Sequence, residues 1–120
     1  MTTTDLSVPD VAALGAAIEA RDAEAVMAWY APDAELAVLD RDHPPATATV
    51  YRGTEAIGAY YRDVCGRNME HRVTDAVGTA TGLGYTQHCR YPEGTEVLCV
   101  TVAVLRDGLI RRQTAIQVRD

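Results

Sequence analysis

The sequence predicts an α+β domain, with three helices in its first half, one strand set among them, and then a meander of about four antiparallel strands. Three observations lead to that class. Apolar residues recur at helical spacing between Val11 and Tyr30 and again after Thr54. From Ala34 to Leu39, and almost everywhere after Gly66, the period drops to two, in stretches rich in Val, Thr, Tyr and Ile. Turn signals at Tyr91-Pro92-Glu93-Gly94 and at Asp107-Gly108 cut the second half into hairpins, the latter being the two-residue type I′ signal.

Each element has a local cause. Ser7-Val8-Pro9-Asp10 reads as a helix start, with Ser7 as N-cap, Pro9 tolerated in the first turn and Asp10 favourable at the positive end of the helix dipole. Val11, Leu14, Ala17 and Ile18 fall on one face of that helix. Asp22 caps a second helix carrying Val26, Trp29 and Tyr30, which Pro32 ends by biasing Ala31 away from helical backbone. Leu36 and Val38 then share one strand face and Ala37 and Leu39 the other, so a strand covered on both sides is expected. Asp40 to Pro45 is a polar loop too stiff and donor-poor for a central strand. Extended chain resumes over Thr47–Tyr51, and Thr54 is positioned to cap a third helix burying Ile57, Tyr60, Tyr61 and Val64. The predicted meander strands are His71–Val77, Leu83–Tyr91, Thr95–Leu105 and Leu109–Val118.

A length of 120 residues predicts a single domain over 1–120, with 1–6 expected to be flexible. The 11 basic residues are all arginine, are scattered, and are outnumbered by 17 acids, giving a net charge of -6. That balance argues against nucleic acid and against an anionic membrane surface as partners. Met1 to Asp10 lacks a secretory pattern and no run is long enough to cross a bilayer, so a soluble, cytoplasmic protein is expected. Cys65, Cys89 and Cys99 are odd in number and far apart, which reads as free thiols rather than a disulfide framework. No cofactor and no metal are expected, because no ligand spacing is present.

The order and spacing of Asp22, the Trp29-Tyr30-Ala31-Pro32-Asp33-Ala34 turn, Tyr51-Arg52-Gly53-x-x-Ala56-Ile57-x-x-Tyr60-Tyr61 and Asp107-Gly108-Leu109-Ile110 resembles the nuclear transport factor 2-like superfamily, in its branch of SnoaL-like polyketide cyclases and ketosteroid isomerases. The resemblance spans nearly the whole chain. It implies a cone-shaped, cystatin-like fold in which a curved mixed and mainly antiparallel sheet wraps the helices around an apolar pocket. It also implies a homodimer through the outer sheet face, and a small hydrophobic ligand in the cone interior.

Within that resemblance the known chemistries are tested position by position. An isomerase would hold its carboxylate base where this chain has Val38, and a helical tyrosine where it has Leu14, so that reaction is not expected. A cyclase-like acid late in the sheet is missing, since the last strand offers no Asp before Asp120. An epoxide hydrolase would need an inward Asp-Arg-Asp set, and only the arginine is available. Dehydratase relatives use a Tyr, His and Asp set, for which Tyr30, His71 and Asp40 are the candidates.

The candidate catalytic residues are therefore Asp40, His71 and Tyr30, serving cofactor-independent acid/base chemistry of the cyclase, isomerase, dehydratase or hydrolase kind on a hydrophobic, oxygen-bearing substrate. Asp40 closes the first strand on the parity of Leu36 and Val38, at the pocket rim, where partial desolvation would raise its pKa; the alternative is a solvated acid paired with Arg41 or capping a turn. The candidate substrate-binding residues are Trp29, Val38, His43, Tyr60, Cys89, Arg111 and Gln113. By the family's parity Arg111, Gln113, Ala115 and Gln117 point into the cup and Ile110, Thr114, Ile116 and Val118 away from it. These inward polar groups either bond one another or bond a ligand. His88 should face outward, while Cys89 and Cys99 read as neighbouring packing residues more than as nucleophiles. The rival to an enzyme is a non-catalytic ligand-binding or dimerisation module with a vestigial pocket.

Overall fold

The computed structural model describes residues 8–120. Its elements run α1 Val11–Glu19, α2 Ala23–Met27, β1 Tyr30–Leu39, a short 3-10 turn Pro45–Thr47, β2 Thr49–Arg52, α3 Gly53–Gly66, β3 Glu70–Gly78, β4 Gly82–Arg90, β5 Glu96–Arg106 and β6 Leu109–Arg119. The six strands form one open, curved sheet in the order β2-β1-β6-β5-β4-β3. Only the β1–β6 pair is parallel. The α+β class and the early strand among three helices stand as expected. The helices cover one sheet face, α1 against β3 and α3 against β1, with α2 between α1 and α3.

The core follows from alternation. Ala34, Leu36 and Val38 of β1, Leu83 and Tyr85 of β4, Cys99, Ala103 and Leu105 of β5 and Ala115 of β6 project onto Leu14, Ile18, Val26, Ile57 and Tyr61 of the helices. The α1–β3 approach is tight enough that a Cβ added at Gly78 would stand 2.8 Å from Val11 Cγ2. The β5–β6 hairpin turns on Asp107 and Gly108, whose φ angles of 53° and 79° are the left-handed pair a type I′ turn requires. Among the described residues no helix is long and apolar enough to cross a membrane.

Several boundaries differ from expectation. The α1 cap within the described residues is Asp10, whose carboxylate accepts from Ala13 N–H; the Ser7 cap and the flexibility expected of residues 1–6 lie outside them. Asp22 does cap α2, through Ala25 N–H. That helix stops at Met27, well before Pro32, because the sheet captures the chain: Trp29 C=O accepts from Ile110 N–H at 2.7 Å and Tyr30 pairs with Ile110. Pro32 thus lies inside β1. It is tolerated there because the β6 ladder is interrupted between Tyr30 and Glu35, and β2 joins only from Glu35 onward, so neither neighbour needs its missing N–H. Thr54 caps nothing, since α3 starts directly at Gly53 with no side-chain cap.

A bulge in β6 causes the largest revision. Val104 pairs with Arg112 but Leu105 pairs with Ile110, which leaves Arg111 unopposed. The extra residue reverses the parity on one side of it. Ile110 is therefore buried and Arg111 exposed, the opposite of the expected directions, whereas Gln113 and Ala115 face inward and Thr114, Ile116 and Val118 outward as read.

Candidate functional site

The inward face of the sheet carries a chain of hydroxyl and amide groups. Tyr30, at the first position of β1, lies under the helices and donates its hydroxyl to Gln113 Oε1. Because that proton is committed, the 2.6 Å contact between Tyr30 and Tyr61 has Tyr61 as donor. Gln113 Nε2 donates in turn to Thr101 Oγ1 at 3.2 Å. Sheet register explains the assembly, since Thr101 and Gln113 sit diagonally across the β5–β6 ladder on the same face. Gln113 is only 2 % exposed.

Aromatic packing surrounds this chain. Tyr61 meets Tyr30 with ring centroids 5.6 Å apart and Tyr60 edge-on at 5.1 Å, while Tyr60 contacts Tyr51 at 4.9 Å. Tyr60 also accepts from Gln117 Nε2 at 3.2 Å. Burial pushes the phenols of Tyr30, Tyr61, Tyr60 and Tyr85 well above their ordinary range, and in Tyr85 this rise is moderated by Thr101, Gln113 and Tyr61 beside its hydroxyl. All four stay neutral near pH 7. The protein's own groups thereby answer one another inside the cone, and no carboxylate belongs to the chain of bonds from Tyr61 to Thr101.

Asp40 lies elsewhere. Its Oδ1 accepts from Asp42 N–H at 3.0 Å and contacts His43 Nδ1 at 2.8 Å, and its side chain is 37 % exposed. The hydrogen bond from His43, then that from Asp42, holds its carboxyl below the usual range. The expected rise through desolvation is thus reversed, because the loop satisfies the charge before burial can penalise it. Asp40 is a turn-capping acid with His43 as its partner, not Arg41.

His71, near the start of β3, is 8 % exposed and faces inward beside its cross-strand neighbour Cys89. Gln87 Nε2 lies 3.1 Å from His71 Nδ1 and 3.4 Å from Cys89 Sγ, and Cys89 Sγ lies 3.2 Å from the same Nδ1. Burial, then the charge of Arg21, lowers the basicity of His71, so its ring is neutral near pH 7. His71 Nε2 is buried and has no hydrogen-bond partner among the described residues. An unanswered buried group of this kind costs about 1–3 kcal/mol. His71, Met69, Cys89 and Val97 line a broad open cleft of about 1280 Å³ at the end of β3 to β6. Burial raises the Cys89 thiol and pushes Cys99 up to about 11, and all three cysteines are free, so these two thiols pack as neutral groups.

The candidate catalytic residues do not meet. Tyr30 and Asp40 stand at opposite ends of β1, on the order of 30 Å apart along the strand. Between β1 and β3, which carries His71, lie β6, β5 and β4. Of the candidate binding residues, Gln113 bonds to Tyr30, Tyr60 packs beside Tyr61, Val38 and Cys89 are buried on the inward face, Trp29 is partly buried against the core, and His43 and Arg111 are exposed. Leu14 and Val38 are both core residues, so the isomerase positions hold apolar packing. Thr101 and Gln87 were not candidates. Thr101 is detectable as the polar member of the Cys99, Thr101, Ala103 phase, whereas nothing in the sequence marks Gln87. Among the described residues no group of three His, Cys, Asp or Glu side chains converges as a metal site requires.

An open mixed sheet folded over three helices, with its polar residues gathered on the concave side, defines the cone architecture. The sequence matches the SnoaL-like domain over residues 11–113, and the chain belongs to that family, within the nuclear transport factor 2-like superfamily. The fold is shared with a nuclear transport factor 2-like protein of unknown function from Mesorhizobium loti, at TM-score 0.76, 12% identity and coverage of 90% of this chain and 87% of that one. It is shared too with an uncharacterized bacterial protein of cystatin-like fold from Silicibacter pomeroyi, at TM-score 0.73, 18% identity, 92% of this chain and 74% of the other. A SnoaL-like protein of unknown function from Burkholderia thailandensis aligns at TM-score 0.66 and 19% identity over 89% of each chain. No curated protein matches the sequence significantly.

Proposed function

We propose that this chain is a non-catalytic binding module of the SnoaL-like family, working as a homodimer, whose cone interior is a structural network instead of a reaction centre. The family includes cofactor-independent isomerases and cyclases. What supports the non-catalytic reading is the run Tyr61 to Tyr30 to Gln113 to Thr101, in which each group bonds a protein partner and no acid or base joins. If it is correct, a hydrophobic oxygenated probe added to the protein gives no NMR contacts to the rings of Tyr30 and Tyr61. Such contacts, together with turnover abolished by Gln113→Ala, would overturn it.

The partner in this reading is a second copy. Leu98, Val100, Val102, Val104, Ile116 and Val118 stand exposed in adjacent rows on the outer face, Val102 at 64 % and Val118 at 66 %. Glu96 and Arg106 bracket the β5 row. A two-fold axis that runs two β5 strands antiparallel therefore sets opposite charges against each other at both ends. Light scattering should report a dimer that Val102→Asp converts to a folded monomer.

One observation favours a second reading, cofactor-independent acid/base chemistry at the rim. His71 is neutral, lines the cleft and has an Nε2 that no group among the described residues engages. Asp40 and Tyr30 take no part in it.

A further inference from the structure

The His71 cleft lies apart from the closed interior and meets the outer apolar face only at Leu98 and Val118, and its geometry specifies a ligand. An amide NH₂ can only donate, so Gln87 Nε2, at 3.1 Å, makes His71 Nδ1 an acceptor. Cys89 Sγ lies 3.2 Å from the same nitrogen, and its thiol is free to donate there. The neutral ring therefore carries its single proton on Nε2. That N–H is buried with no acceptor among the described residues, in a side chain that is more than nine-tenths buried and lines the cleft.

Arg21 shares the cleft with it. This arginine is held in place by a left-handed backbone, φ 56°, at the α1–α2 turn, and by the 2.6 Å bond from its Nη1 to Arg67 C=O. A guanidinium has five N–H groups, so donors remain after that bond. The two acids flanking it, Glu19 and Asp22, accept from Val73 N–H at 3.0 Å and from Ala25 N–H at 3.1 Å. Acids and arginines balance around the cleft, four of each with Arg21 counted, and Arg21 is the charge that acts on His71. Met69, Cys89 and Val97 supply an apolar wall next to these donors.

We infer that this cleft binds a small organic carboxylate with an apolar tail, one carboxylate oxygen accepting from His71 Nε2–H, the charge facing Arg21, and the tail lying on Met69, Cys89 and Val97. Burial first and then the charge of Arg21 lower the basicity of His71, and the second of these agrees with the two side chains acting on one ligand. The residues assigned to the ligand, His71, Arg21, Met69, Cys89 and Val97, belong to neither the proposed dimer face nor the Tyr30–Gln113 network, so this site's failure and theirs are separable.

Nitrogen NMR of the imidazole and titration with hexanoate and hexanamide test it. The expected results are a proton on Nε2, and saturable shifts from hexanoate at His71, Met69 and Val97. Arg21→Gln, an exposed substitution that leaves the core intact, should weaken hexanoate about fivefold and leave hexanamide unchanged. His71→Phe should remove the response to both. A proton on Nδ1, a hexanoate titration that moves none of the three residues, or Arg21→Gln binding hexanoate like the wild type would each overturn the assignment.

Discussion

Gln113 on β6 and His71 on β3 are both polar, both almost wholly buried and both on the inward face of the same sheet. Their surroundings differ. Gln113 receives a hydroxyl on its oxygen and gives a proton to Thr101, so desolvation is offset on both sides of its amide. Among the described residues His71 is engaged only at Nδ1, and its other nitrogen is left over. A fold has no reason to leave a donor in that state, whereas a site that must receive something does. In this cone, completeness of hydrogen bonding separates scaffold from opening better than burial does.

The contrast can be broken most forcefully with base. The four phenols with raised pKa values remain protonated in the folded state, while in the unfolded chain they ionise near pH 10. Stability is accordingly full below pH 10 and falls above it, by about 1.4 kcal/mol per pH unit for each tyrosine that stays neutral. Urea denaturation between pH 8 and 11 measures this; a flat profile would mean that the phenols are not enclosed. Next in size is Gln113→Leu, which strands the Tyr30 and Thr101 hydroxyls and should cost about 2–4 kcal/mol at pH 7. A loss under ~0.5 kcal/mol would show the network to be replaceable.

At the other pole, His71 gives a smaller effect of the opposite pH sense. Its folded pKa is depressed, so the unfolded state takes up the proton first, and the melting temperature should decline as pH falls below about 6.5. His71→Phe removes that decline and, unlike Gln113→Leu, leaves stability at pH 7 close to wild type. The smallest effect is expected at Asp40→Asn, which touches only a solvated turn. Its melting temperature should be unchanged near pH 7, and a marked drop would give Asp40 a structural importance that its exposure denies.

Much of the fold was legible because period and punctuation agreed. Strand limits of the meander fell within a residue or two, and Asp107-Gly108 and Asp22 behave as their types dictate. The misreadings share one cause, which is that sheet pairing overrides local preference. Pro32 suits a helix stop until a broken ladder makes room for it, and Arg111 suits an inward position until a bulge displaces it. The site was less legible. Strand parity located Gln113 and the family resemblance named His71, but the partners that give these residues their meaning come from distant strands and from α3. Asp40 was misjudged because a turn three residues long supplied its partner, a contact that strand parity does not encode.

The Arg111 bulge also bears on how such a sheet can change. It divides β6 into two phases, 109–110 and 112–119, that keep separate accounts of inside and outside. Loss of that single residue would knit the ladder into one continuous phase with Ile110 and Gln113 still both inward, because it restores an even spacing between them. The strand would not have to slide, and both the β5–β6 turn and the Tyr30–Gln113 contact would keep their register. An arginine left unopposed in the ladder is thus a residue whose deletion both ends of the strand should tolerate.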